Sequence, residues 1–162
     1  MATPLPWLYP YAAEPGGLRR GREVLRPVVT ISIPGQLASM EPGWALVDTG
    51  AENIFAADWL ADFAGIDLAA SLDRLLVGIG GQVVEVAFAE VELRLHAPRE
   101  PDEMITWRAE VGFVPQWQAP FPIVVGQVGF LDQFTVTFHR GAATLAIEDW
   151  DAFDARFGAG PA

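Results

Sequence analysis

At 162 residues and 17.6 kDa the chain fits one domain, and its complete lack of Cys excludes disulfides, thiolate metal sites and cysteine nucleophiles. All ten basic residues are Arg, so the phosphate-binding loop that ends in Gly-Lys-Ser/Thr and Schiff-base chemistry are both removed. Against 21 Asp and Glu the net charge is -11, a field that repels phosphate backbones, and nucleic acid is not an expected partner.

Residues 1–26 open with alternating Pro and aromatics (Leu5, Pro6, Trp7, Leu8, Tyr9, Pro10, Tyr11) and read as an extended N-terminal arm. The arm lacks a basic start followed by an apolar run, so no signal peptide is expected there. No stretch has the roughly 18 apolar residues of a spanning helix, which leads to the expectation of a cytoplasmic protein without membrane partners. Trp7, Leu8 and Tyr9 are too apolar to stay solvated, and two destinations are open: the arm's own domain or a neighbouring subunit.

Arg26 to Pro34 alternates β-branched residues and predicts a strand, as does the short run Trp44 to Val47, which stops at Asp48-Thr49-Gly50. Ala57, Leu60, Ala61 and Ala64 recur at helical spacing before Gly65, predicting a short helix over 57–64. Leu75 to Val86 reads as a hairpin around Gly80-Gly81, and Ala87 to Leu95 as a further strand with one buried face. After a loop at 97–104, Thr106 to Pro115 and Ile123 to Val125 are strands, and a helical turn is expected through Phe130-Leu131. Phe134–Phe138 and Ala143–Ile147 form a second hairpin, and Asp149 caps a helix over 150–157 ahead of a fraying tail. Many short strands divided by turn signals predict an all-β fold, a small closed β-barrel with one to three short helices. The expected division is an arm over 1–26, a barrel over 27–148, and a short helix with its tail over 149–162.

The chemistry left by composition belongs to carboxylates. His96 and His139 offer no supported Ser-His-Asp site, because none of Ser32, Ser39 and Ser71 lies in a Gly-x-Ser-x-Gly turn. No metal site or cofactor is expected. Asp48-Thr49-Gly50 alone is equally a tight turn, with Asp accepting backbone N–H bonds, or a carboxylate presented at a loop tip.

Three ordered motifs separate these readings. Leu46-Val-Asp-Thr-Gly-Ala51, Val77-Gly-Ile-Gly-Gly81, and Ile123-Val-Val-Gly126 followed by Gly129-Phe-Leu131 resemble, in this order, the catalytic loop, flap tip and second apolar strand of the retropepsin-like aspartic proteases. The resemblance runs from about Val28 to Ile147 and is to the bacterial-type, single-lobe form. It implies the barrel of that family and an aspartic endopeptidase. Asp48 would be the acid/base, and Thr49 would hydrogen-bond across to the partner's loop. Gly50 would let the substrate backbone approach, and Ala51 and Glu52 would line the cleft. Gly78, Ile79, Gly80 and Gly81 would form the flap, with Pro122 and Val124 beside Ile79 favouring apolar side chains around the scissile bond.

Peptide hydrolysis by this chemistry needs two carboxylates that share one proton, and the chain contains one Asp-Thr-Gly. The resemblance therefore implies a homodimer, with the second Asp48 supplied across a two-fold axis and a peptide or protein as substrate. A departure is Gln127 after Gly126, where retroviral members carry Arg, so Glu52 is expected to lack a charged brace. The alternative function is a non-catalytic barrel that binds a peptide or small ligand in the same cleft.

Overall fold

The structure, a computed structural model, describes residues 6–35, 41–71 and 73–158. The expected fraying of the last residues, 159–162, and Ser39 lie outside the described residues.

Trp7–Pro10 (β1) is a strand in which Trp7 and Tyr9 point inward and Leu8 is exposed. Ala12–Arg19 (β2) and Arg22–Arg26 (β3) pair with each other as an antiparallel hairpin. The stretch read as an extended arm is thus built into sheet. The reason is burial: Trp7 and Tyr9 are almost fully covered, and the Tyr9 hydroxyl donates to the His96 carbonyl at 2.6 Å. That enclosure pushes the Tyr9 phenol well above its ordinary pKa.

Val28–Ser32 (β4) runs antiparallel to Gly43–Val47 (β5). Ile54–Ala57 (β6) follows, then a tight turn over Asp58–Leu60 and the single-turn helix Ala61–Ala64 (α1), which Gly65 ends in the left-handed region at φ 69°. The helix expected over 57–64 is therefore shorter, and its first residue belongs to a strand. Parallel pairing of Ile54–Ala57 with Val111–Val114 decides this, burying all four residues of β6.

Arg74–Ile79 (β7) and Gln82–His96 (β8) form a hairpin in which Ile79 pairs with Gln82 around Gly80-Gly81. β8 continues without a break for 15 residues, joining what the sequence reads as a hairpin arm and a separate strand. Its first half pairs with β7, and from Ala87 it pairs with Met104–Val114 (β9). Ile123–Val125 (β10) lies between β5, to which it is parallel, and β6. Thr135–His139 (β11) and Thr144–Glu148 (β12) make the last hairpin, with β1 paired along β12 in a three-stranded sheet.

The main sheet runs β4-β5-β10-β6-β9-β8 and closes through β8 pairing back to β4, while β7 extends beyond the ring. This is a closed six-stranded mixed β-barrel. Its interior is filled by Ile31, Ile33, Ile54, Leu93, Leu95, Phe113 and Ile123, all essentially inaccessible. Trp107, Phe130 and Phe134 stack edge and face with ring centroids 5.2–6.0 Å apart, and the Trp107 indole donates to the Gly129 carbonyl at 2.8 Å. That cluster holds the segment after β10 against the barrel.

Asp149 caps Trp150–Phe157 (α2) by accepting from the Ala152 N–H at 2.7 Å. Arg156 reaches back to the buried Glu148 carboxylate and ties the helix to β12. Among the described residues no helix is long and apolar enough to cross a membrane.

Candidate active site

β5 delivers Asp48 to the mouth of the barrel. The Val47 N–H donates to the Pro27 carbonyl at 2.9 Å and the Asp48 N–H to the Val125 carbonyl at 3.0 Å, so the strand is held up to its last residue. The chain then turns back, the Ala51 N–H donating to the Asp48 carbonyl at 3.1 Å. Gly50 N–H donates to Asp48 Oδ1 at 2.9 Å, which fixes one carboxylate oxygen and leaves Oδ2 for a ligand. Asp48, Thr49 and Gly50 are exposed at the tip of a loop whose base is buried.

The segment after β10 clamps this loop from behind. Gln127 and Val128 N–H groups donate to the carbonyls of Ala51 and Glu52 at 2.9 and 2.8 Å. The Gln127 side-chain amide donates to the Thr49 carbonyl at 2.7 Å. The position where a charged brace was expected to be missing thus carries a neutral one, aimed at backbone. Among the described residues the Glu52 carboxylate has no ion pair and the Thr49 hydroxyl no hydrogen-bond partner. Replacing Gln127 by Ala is expected to lower unfolding stability by about 1 kcal/mol, read as a lower urea midpoint at unchanged m value.

A cleft of about 740 Å³ opens between this loop and the β7–β8 hairpin. Of the residues singled out in the sequence, Asp48, Gly50, Ala51, Glu52, Gly78, Ile79, Gly80 and Val124 line it together. Thr49, Gly81 and Pro122 do not. Thr49 is exposed at the loop tip, and Gly81 is the far residue of the hairpin turn. Pro122 is half-buried before β10, with its carbonyl accepting from the Ala57 N–H at 3.0 Å. Gly80 and Gly81 have φ of 58° and 83°, the paired positive values that a two-residue hairpin turn demands.

Sequence reasoning missed much of the apolar wall, to which Phe55, Phe88 and Trp117 contribute. Phe55 and Phe88 meet edge to face at 6.3 Å, and the Trp117 indole donates to the Phe121 carbonyl at 2.8 Å. Period-two alternation in β8 marks Phe88 as facing inward, but which interior it faces depends on the ring closing. The charge of the site is negative, from Asp48 and Glu52, and among the described residues no cluster of His, Asp and Glu could hold a metal ion.

The contact between Ser32 and His96 is structural. Ser32 Oγ lies 2.7 Å from His96 Nε2, but both residues are buried and His96 Nδ1 meets the Pro101 carbonyl at 2.6 Å, not a carboxylate. Asp132 and Asp149 are spent on the Gly129 and Ala152 N–H groups.

The fold resembles that of a retropepsin-like aspartic protease. The solved structure in question is that of a protein from Rickettsia conorii, 15% identical, with a TM-score of 0.49 and coverage of 91% of this chain and 96% of that one. No family model matches the chain, and no curated protein does.

Proposed function

We propose that the protein is an aspartic endopeptidase, active as a homodimer in which two Asp48 carboxylates face each other across a two-fold axis. The observation that carries this reading is the pairing, within one cleft, of an exposed Asp48 held through one oxygen with a glycine-tipped hairpin opposite it. Exposure of the Asp48-Thr49-Gly50 tip suits a contact with a second copy, and the Thr49 hydroxyl, without a hydrogen-bond partner among the described residues, would bond to the matching loop there.

In that dimer one carboxylate takes a proton from the attacking water while the other, protonated, donates to the carbonyl oxygen of the scissile bond. The proton that the first carboxylate holds then passes to the leaving amine as the C–N bond breaks, and the second carboxylate regains its proton from a hydroxyl of the collapsing diol. The flap lowers over the substrate and offers backbone N–H groups to its carbonyls. Leu75, Val77, Ile79, Phe88 and Trp117 surround the space left for side chains, which favours apolar residues on both sides of the bond.

A digest of a peptide library from acid to neutral pH tests the proposal. Cleavage between apolar residues, blocked by a hydroxyl-bearing transition-state isostere, is expected. Binding of peptides with no cleavage at any pH would reduce the cleft to a recognition site.

A further inference from the structure

The arginines are unevenly placed. Five of the chain's ten, Arg19, Arg20, Arg22, Arg26 and Arg140, line a single open cleft of about 900 Å³ beside the β2–β3 hairpin, with Glu23 as the one acid among its lining residues. In a chain of net charge -11 this concentration of positive charge stands apart from the rest of the surface.

Two of the five are fixed by the fold. Arg26 pairs with Glu14, while Arg140 donates to the Leu25 carbonyl at 3.2 Å and sits 5.7 Å from the Tyr11 ring centre. Arg19, Arg20 and Arg22 are exposed and carry no ion pair among the described residues. Arg19 and Arg22 are direct cross-strand partners, a like-charge pair that opposes hairpin formation. Arg20 occupies a turn position at φ 53°, where Gly or Asn is the ordinary choice. None of the three helps the hairpin fold. Their guanidinium groups remain available to carboxylates, for which the planar fork is suited.

The cleft also has a definite relation to the candidate active site. Pro27, part of its lining, accepts the Val47 N–H at 2.9 Å, one residue before Asp48. The hairpin therefore leaves the barrel at the end where the Asp48 loop emerges.

We propose that the arginine cleft docks an acidic segment of the polypeptide substrate, a stretch rich in Glu and Asp outside the bond to be cut. The inference rests on the peptidase reading only for calling the partner a substrate. An acidic polypeptide fits better than an anionic bilayer because the surface is a bounded concavity, which a flat layer of headgroups cannot enter. At physiological salt, charges beyond about 8 Å are largely screened, so the local arginines outweigh the distant acids once contact is made.

The test is fluorescence anisotropy with a short fluorescein-labelled Glu/Asp-rich peptide, using the Asp48→Asn protein so that the probe stays intact. Saturable binding that weakens with added salt is expected, reduced about tenfold or more in the triple variant Arg19→Ala, Arg20→Ala, Arg22→Ala. The matching triple Lys variant should recover part of the affinity, the share owed to charge and not to the planar fork, which a purely structural role for the hairpin would not produce. No saturable binding, equal binding by the triple Ala variant, or tighter binding of phosphatidylserine vesicles or a single-stranded oligonucleotide would overturn the proposal. Peptide binding without any cleavage by the wild type would leave the docking site standing and remove the peptidase reading alone.

Discussion

Replacing Asp48 by Asn is expected to lower kcat/KM for peptide cleavage about a thousandfold or more while leaving the melting temperature nearly unchanged. The proposed mechanism uses both oxygens of this side chain, one to hold the loop and one to exchange a proton with water. Asn retains an acceptor for the Gly50 N–H, so the turn survives, but its amide cannot take up or release the proton at the reacting position. Positioned acid–base groups contribute roughly 10²–10⁴ in rate, and the substitution alters both members of a symmetric pair. Because Asp48 is exposed, little packing is disturbed. Matched kinetic and thermal-unfolding measurements check the two halves of the expectation; retained activity would remove Asp48 from the chemistry.

The largest structural effect is expected at Gly126. A Cβ there would lie 2.4 Å from the Ala51 carbonyl oxygen and 2.6 Å from that of Asn53, both backbone atoms of the loop that follows Asp48. Its own φ of -121° is ordinary extended backbone, so the demand is for space and not for unusual torsion. No side-chain rotation relieves a clash with two carbonyls. Either β10 moves away from the loop or the loop moves away from β10, and both breach the hydrogen bonds that Gln127 and Val128 make. Gly126→Ala is expected to cost about 3 kcal/mol, a fall in melting temperature of roughly 6–12 °C for a domain of this size. Gly78→Ala provides the contrast, since a Cβ at Gly78 meets nothing within 4 Å and its stability should hardly change.

How much of this was readable before the structure depends on whether the deciding interaction is local. The Asp48 turn, the double glycine at the hairpin tip and the Ile123–Val125 run each declare themselves within a few residues, because turn chemistry and a short buried strand leave local signatures. Ile54–Ala57 does not: four apolar residues next to a helical spacing are equally a strand or a helical start, and only parallel pairing with β9, far along the chain, decides. The N-terminal segment hid its strand for a related reason. Trp7 and Tyr9 alternate with exposed Leu8 and Pro10, a period-two signal four residues long, and its partner β12 lies at the opposite end of the sequence. The apolar wall of the cleft was also out of reach, since Phe55, Phe88 and Trp117 come from three separate elements that meet only when the ring closes. The arginine cluster was half legible: Arg19, Arg20, Arg22 and Arg26 are near neighbours in sequence, but Arg140 joins them only through the fold.

The central claim, that each working site takes one Asp48 from each of two copies, is tested most directly by mixing subunits. Wild type and Asp48→Asn protein are combined in equal amounts at fixed total concentration and allowed to exchange before peptide cleavage is measured. If only pairs with two carboxylates work, activity falls to about one quarter of the wild-type value, because pairs form in proportion to the square of the wild-type fraction. A fall to about one half would mean that each Asp48 acts without its mate, and would contradict the account.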